Sequence, residues 1–437
     1  MDSLVPIALF GWIAVSIGWF AALDVRRGIL ASLILGWLFL PVANVPMVGF
    51  PDYNKVTATA MGVLVGMVLW GTGELARVRP RWADLPIFVL WLSAGASSLV
   101  NGQSAYDALS SMLDQLLTWV VPYLAGRVFF RRGRDLHLLA SAIVVGGLIY
   151  LPLCAYEIRM SPQLHEMVYG YYPHAFDQAW RGGGWRPSVF MDHGLMVGLW
   201  MSMAALLGIG LWRGRALPGR PLGVPLWLLV VPLIVIAVMC RSLGATVLLG
   251  VGVLAIFEAR WLGTRLSLWV LLVGPSIYVL CRILGWVTGE DLVVVAALVD
   301  EERALSLDYR LFMENLVLDI CREKPLLGWS SWGFDPPETE DGEKMKIVID
   351  SYWMVIFLRF GAVGVAAQLA LAAIPTWLML RRRPRLQFRD PRTVPYGLLV
   401  LVLSLFMVDS MVNAMFNPTF VMVAGAVVGA ATDAPAD

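Results

Sequence analysis

Long apolar runs separated by short polar connections make up most of the chain, and thirteen such runs can be distinguished. Runs of about 20 apolar residues are typical of helices that cross a bilayer, because a helix satisfies its own backbone groups where water is absent. The pattern therefore predicts an all-α polytopic membrane protein with about 12–13 transmembrane helices. The predicted spans are 4–23, 29–47, 56–73, 85–100, 114–130, 137–156, 188–212, 222–239, 243–257, 266–285, 348–378, 395–412 and 418–431.

Composition agrees with this class of protein. Of the 437 residues, 59% are hydrophobic and only 15% are charged, whereas soluble proteins carry about 25% charged residues. The net charge of +1 gives no indication of a nucleic-acid partner. The four cysteines are far apart in the chain and form no CxxC pair, so neither a metal site nor a required disulfide is predicted.

Basic residues are concentrated in alternate connections between the spans. The connections that follow the odd-numbered spans up to the eleventh contain 20 of the 33 Lys and Arg residues, and the short connections on the other side contain almost none. Short basic loops remain in the cytoplasm of a membrane protein. We therefore expect the N-terminus and the even-numbered connections to lie outside.

Two of the outward connections are long, 157–186 and 286–347. The second contains 14 acidic and 6 basic residues, so we expect it to be solvated. Within it, residues 306–324 are predicted to form an amphipathic helix that is capped by Ser306 and stops before Pro325. The apolar stripe of this helix, which we expect to cover the outer mouth of the bundle, consists of Leu305, Tyr309, Phe312, Leu316 and Ile320.

Three arginines lie in these outward positions. Arg310 is off the apolar stripe, where it either pairs with Glu314 one turn later or binds a ligand. Arg186, which is followed by His193, begins a span, where an arginine either reaches lipid headgroups or binds an anion. Arg241 is held in a tight turn at the membrane surface, which is costly unless it pairs or faces water. A guanidinium fork suits phosphate, so all three are candidates for anion binding.

Polar residues near the outer ends of later spans are the other candidates. Asp350 stands at the outer mouth of the eleventh span, where it either caps the helix or acts on a ligand. Arg359 lies about 13 Å deeper and either pairs with an acid such as Asp409 or faces the interior of the bundle. Asp409 is itself a functional candidate because charges are rare in spans. No side-chain cluster has metal-ligand spacing, so we expect neither a metal nor a cofactor.

These segments, in this order, resemble the bacterial O-antigen ligase / O-antigen polymerase superfamily. The resemblance covers roughly residues 185–370. It is carried by RPSVFMDHG from Arg186, CRSLGA from Cys240, Arg310 with Asn315, EKPLLGW from Glu323 with Phe334, and Ser351 and Tyr352 followed by Gly361 and Gly364.

The resemblance implies a metal-independent glycosyltransferase on the outer face of the bacterial cytoplasmic membrane. Such enzymes take a glycan from undecaprenyl diphosphate, and they pass it to lipid A–core (ligases) or to another lipid-linked repeat (polymerases). By resemblance, Arg241 and Arg310 hold the diphosphate, and many polymerases are also basic at the position of Arg186. Ligases typically have His followed by Asn where this chain has Asp350, so the resemblance does not by itself assign the base.

The leading hypothesis is therefore a membrane enzyme that acts on a lipid-linked oligosaccharide donor and a glycan or lipid acceptor. Its expected catalytic residues are Asp350, Arg310 and Arg241, and its expected substrate-binding residues are Arg186, His193, Arg359 and Asp409. The alternative is a transporter or flippase for lipid-linked glycan, which symmetric halves and helices broken at the bilayer midplane would favour. The sequence shows neither symmetric halves nor paired charges at the midplane. A membrane protein without turnover is a third possibility.

Overall fold

The computed structural model is a bundle of apolar helices with two short β-hairpins. Residues described by the structure are 4–47, 50–216, 224–287, 301–331, 333–334, 336, 344, 347–382 and 388–433, with the backbone alone described for 301–307 and 382. Most of the predicted acidic segment 286–347 before and after its helix therefore lies outside the described residues.

Fifteen helices of more than one turn are described in chain order. They are α1 (Leu4–Ala22), α2 (25–39, with a π turn at Ala31–Leu35), α3 (Lys55–Trp70), α4 (Leu85–Val100), α5 (105–129, with a π turn at Leu116–Val120), α6 (Gly133–Met160), α7 (Leu164–Tyr169), α8 (Gly194–Arg213), α9 (Trp227–Met239), α10 (Leu243–Leu262), α11 (Leu266–Ile283), α12 (Glu301–Glu323), α13 (Tyr352–Arg382), α14 (Val394–Asp409) and α15 (Pro418–Asp433). Single turns lie at Thr72–Leu75, Trp82–Asp84 and Phe176–Ala179. The two antiparallel hairpins pair β1 (Val45–Met47) with β2 (Phe50–Tyr53), and β3 (Trp180–Arg181) with β4 (Gly184–Trp185).

Each predicted span overlaps one of these helices. Within the part of the chain that the structure describes, seven helices are long and apolar enough to cross a membrane by length and composition, and α3, α9, α14 and α15 are shorter apolar helices. The chain is thus an all-α polytopic membrane protein. The most apolar part of α8 is 83% buried inside the bundle, whereas that of α1 is only 22% buried, so α8 lies at the centre and α1 at the edge.

Basic connections meet at one end of the bundle, here called the basic face. Arg26, in the first turn of α2, pairs with Asp135 at 3.1 Å. Arg127 is only 1% exposed and is bound by Asp84 at 2.8 Å and by Asp433 at 2.5 Å. A buried guanidinium is stable only when such partners surround it, so the two Arg127 ion pairs hold α5, the turn Trp82–Asp84 and α15 together.

The opposite end is here called the loop face. It carries the segment 161–193 between α6 and α8, the turn 240–242 between α9 and α10, and the helix α12. The predicted loop 157–186 was placed four residues too early at its start, because α6 continues to Met160. The next long helix begins at Gly194 rather than at residue 188, where the predicted span starts, because residues 187–193 are held in an irregular conformation.

α12 differs from its prediction in its start and in its buried side. It begins at Glu301, so Ser306 lies inside the helix and the prediction that Ser306 caps it was wrong. Tyr309 and Phe312 of the predicted apolar stripe are 50% and 62% exposed. The side chain of Leu305 lies outside the described residues. The side chains that are buried instead are Leu311, Val317, Leu318 and Cys321.

An ion pair explains which side of α12 is buried. Arg282, near the end of α11, is 1% exposed and lies 3.3 Å from the Glu314 carboxylate. Arg282 also donates hydrogen bonds to Asn315 Oδ1 at 3.0 Å and to the Val287 carbonyl at 2.7 Å. The helix has apolar residues on two adjacent sides, and this contact turns the Leu311 side toward the bundle.

α13 is broken at Gly361, whose φ of +63° lies in the left-handed region that favours glycine. The segment after α12 fills the break. The N–H groups of Trp329 and Ser330 donate to the two carbonyls of residues 358–359 at 2.8 and 3.0 Å, and the Ala362 N–H donates to the Pro325 carbonyl at 2.8 Å. The backbone groups freed by the break are therefore satisfied by protein.

Candidate active site

Cationic side chains from separate segments gather at the loop face. Arg186, from the segment before α8, donates a hydrogen bond through Nη2 to the Arg241 carbonyl at 3.0 Å. Burial, together with the positive charges of Arg181 and Arg310, lowers the pKa of Arg186 to about 10. The Nε–H of Arg186 is buried and has no hydrogen-bond partner within the described parts of the chain. Positive charge thus accumulates here without a matching carboxylate on Arg186, which suits an anionic ligand.

Arg241 is fixed by its own backbone and by the neighbouring hairpin. Its φ of +53° is unusual for a residue with a side chain. Its Nη1 group donates to the Arg181 carbonyl at 3.1 Å and also contacts the Gly182 carbonyl. Arg241 therefore joins the turn between α9 and α10 to the β3–β4 hairpin, and one of its nitrogens is occupied by this structural role. Its Nε and Nη2 groups make no such bond to any residue that the structure describes.

Arg310 and Asp350 form an ion pair with 3.4 Å between Nε and Oδ2, and both side chains are about one-third exposed. The alternative pairing of Arg310 with Glu314 was wrong, because Glu314 pairs with Arg282. A cap role for Asp350 is also wrong. The first amides of α13, those of Tyr352 and Trp353, donate to the Ser410 carbonyl instead.

His193 lies beside the same cations and is the N-cap residue that precedes α8. Its Nδ1 accepts a hydrogen bond from the Leu195 N–H at 3.0 Å, and its ring packs edge-on against His174 with 4.7 Å between centroids. Burial lowers the pKa of His193 to about 3, and His174, Arg186 and Arg310 act in the same direction. The imidazole is therefore neutral near pH 7, and its acceptor nitrogen is engaged as a helix cap. This arrangement does not suit a general base.

Two buried charged residues that the sequence analysis did not select hold the backbone between Arg186 and His193. The fully buried carboxylate of Glu157 accepts the N–H groups of Ser188 at 2.9 Å and Val189 at 2.7 Å. Lys55, at the start of α3, donates to the Phe190 carbonyl at 2.8 Å.

These contacts stabilise a strained backbone. The φ of Val189 is +52°, which is rare for a β-branched residue and typical of functional sites. In the sequence, Glu157 stands at a predicted span boundary and Lys55 in a short loop, where charged residues are ordinary. Only their contacts with distant residues distinguish Glu157 and Lys55 from other charged residues at the ends of apolar runs. The sequence alone showed a charge next to an apolar run, which is too common to select them.

Arg359 and Asp409 do not join the cationic cluster, and the alternative in which they pair with each other was wrong. The Asp409 carboxylate is buried and accepts a hydrogen bond from Asn413 Nδ2 at 2.8 Å. Arg359 is exposed, and its positive charge interacts electrostatically with Asp114 and Tyr352. The loop face thus brings together five of the seven predicted site residues: Arg186, His193, Arg241, Arg310 and Asp350.

Among the described residues, no group of three or more His, Cys, Asp or Glu side chains is placed to bind a metal ion. All four cysteines are free.

In comparisons with known proteins, no family model matches the chain and no curated sequence matches it significantly.

Proposed function

We propose that this chain transfers a glycan from a polyprenyl-diphosphate carrier to a glycan or lipid-linked acceptor at the loop face. The observation that carries the proposal is the group of Arg186, Arg241 and Arg310, with the Asp350 carboxylate 3.4 Å from Arg310. Arginines bind phosphate through paired donors, and a carboxylate can take the proton of an attacking hydroxyl. The sequence resemblance to O-antigen ligases and polymerases points to the same reaction.

The proposed reaction displaces the diphosphate from the donor sugar. The acceptor oxygen forms a bond to the anomeric carbon, the bond from that carbon to the phosphate oxygen breaks, and its electron pair leaves with the diphosphate. The acceptor proton passes to Asp350. Donors placed where negative charge develops lower the barrier to such a step. When the diphosphate binds Arg310, it competes with Asp350 for the guanidinium of Arg310. The Asp350 carboxylate is then free to accept the proton.

Purified protein is expected to convert lipid-linked oligosaccharide to a longer or transferred glycan, and to do so in the presence of EDTA. Mass spectrometry of the glycan lipids measures this directly. Activity that disappears with EDTA and returns with Mg²⁺ or Mn²⁺ would contradict a metal-independent reaction.

The broken helix α13 is the observation that favours the alternative, a flippase. Broken helices line many transport sites, but here the backbone groups at the break bind the segment after α12. The same experiment separates the two functions. A flippase moves its lipid across a vesicle membrane without changing the mass of the lipid, so translocation without a new product would favour transport.

We further propose that 12–13 helices cross a bacterial cytoplasmic membrane and that the loop face is outside. The basic connections support this orientation. After the four native cysteines are replaced by alanine, a single cysteine from Glu166→Cys should react with an impermeant maleimide in intact spheroplasts. The matched variant Ala76→Cys, also exposed but in a basic connection, should react only after permeabilisation. The reverse labelling pattern would contradict the orientation.

A further inference from the structure

An exposed group of aromatic rings lies beside the cationic cluster. It comprises Phe176, Trp180 and Trp185, here called the aromatic platform. Trp180 and Trp185 are cross-strand partners in the β3–β4 hairpin and meet edge to face with 4.8 Å between ring centroids. Phe176 packs against Trp185 at 5.3 Å. Trp180 and Phe176 remain 51% and 44% exposed, so the platform presents apolar ring surface to its surroundings.

The platform is attached directly to the residues proposed to bind the diphosphate. The N–H of Arg186 donates to the Ala179 carbonyl at 2.8 Å. The guanidinium of Arg241 donates to the Arg181 carbonyl at 3.1 Å. Both contacts fall within the short stretch 176–185 that carries the rings, so the platform and the cations form one continuous surface.

Polar side chains share the turn with the rings. His174, Asp177 and Gln178 are exposed, and His174 Nε2 lies 3.0 Å from Gln178 Oε1. A lipid chain or an apolar helix laid on this turn would bury these groups without partners, which is costly. A sugar ring has C–H groups on its faces, which pack on aromatic rings, and hydroxyls at its edge, which need polar partners. Mixed aromatic and polar surfaces suit ligands of this kind.

We propose that the aromatic platform is a subsite for the sugar next to the diphosphate of the donor, an inference that rests on the proposed function. The carrier lipid remains in the membrane, the diphosphate lies against the arginines, and the first sugar packs on Trp180 and Phe176. Recognition of the glycan, as distinct from the diphosphate, then depends on this hairpin.

Binding of two probes to the detergent-solubilised full chain tests the subsite. The probes are undecaprenyl diphosphate alone and undecaprenyl diphosphate carrying one N-acetylglucosamine, with affinities measured by calorimetry. The sugar is expected to raise affinity about tenfold, within the range that one aromatic contact contributes. Trp180→Ala should remove this gain and leave the affinity for bare diphosphate unchanged. Trp180→Tyr, which keeps an aromatic ring, should restore most of it.

A matched control is Trp82→Ala. Trp82 is 56% exposed and meets Trp377 edge to face, but it lies near the basic face. This variant should keep the full sugar gain. The subsite is overturned if the unmodified protein binds both probes equally, or if Trp180→Ala weakens both to the same extent, as a membrane-interface tryptophan would. If neither probe binds, the proposed function itself fails. Thermal melting of each variant confirms that it is folded.

Discussion

The variant Asp350→Asn is expected to turn over lipid-linked glycan about 10²- to 10⁴-fold more slowly, the usual range for loss of a general base. Asparagine keeps the shape of the side chain and removes its basicity. Because Asp350 and Arg310 are both about one-third exposed, loss of their ion pair should cost little stability. Initial rates at saturating donor, with a melting curve for each variant, measure the effect.

The matched control is Asp319→Asn. Asp319 also pairs with an arginine of α12, Arg322, at 2.6 Å, but on an exposed part of the helix. This control should retain full activity. A fully active Asp350→Asn variant would remove Asp350 from the reaction. The next carboxylate to examine would then be Glu314, which lies near Asp350 and whose pKa is raised by burial.

A second replacement at this position tests the same role through pH. Asp350→His should retain measurable activity, and the acid limb of its pH profile should lie near the ordinary histidine pKa of about 6.5. His193 cannot supply that limb, because its pKa is held at about 3. Below the limb the introduced imidazole is protonated and cannot accept a proton, so activity should fall as pH decreases.

The variant Arg310→Ala is expected to lose roughly 10- to 100-fold in turnover, since one charge-assisted contact contributes about 1.5–3 kcal/mol. Arg310→Lys keeps the charge without the guanidinium fork and should be impaired less severely. Arg322→Ala, which removes an exposed arginine from the same helix, should have no effect. Steady-state kinetics with lipid-linked oligosaccharide provide the measurement.

The double variant distinguishes two roles for Arg310. If Arg310 binds the diphosphate, its loss should lower turnover further in an Asp350→Asn background. If its only role is to orient Asp350, the double variant should be no slower than Asp350→Asn alone. Coupling between contacting residues is measured by this comparison. Arg310 would be only part of a surface ion pair if two results were found together. Arg310→Ala would turn over at the rate of the unmodified protein, and the double variant at the rate of Asp350→Asn alone.

The helical membrane architecture was predictable from the sequence because its cause is local. A window of about 20 residues contains the information that the segment is apolar and must satisfy its own backbone as a helix. Each of the thirteen runs accordingly overlaps a helix. The grouping of Arg186, Arg241 and Arg310 was expected from motif order by resemblance, and not from any local pattern.

Pairing between distant residues was decided only by the tertiary structure. Glu314 had a suitable partner four residues away in Arg310, yet it pairs with Arg282 of α11, and Arg310 pairs with Asp350. Spacing along the sequence identifies possible partners one helical turn away. It does not identify partners from other helices that packing brings into contact. For the same reason the sequence placed Tyr309 and Phe312, which are exposed, on the buried side of α12, and it gave no reason to select Glu157.

The break in α13 shows the same division. The sequence around Gly361 reads as one continuous apolar helix within the predicted span 348–378. The break forms because the segment around Gly328, far away in the chain, supplies partners for the freed backbone groups. Apolar periodicity, which depends on neighbours in sequence, thus determined where helices form. Long-range hydrogen bonds and ion pairs, which depend on neighbours in space, determined where one helix breaks and which charged groups face each other.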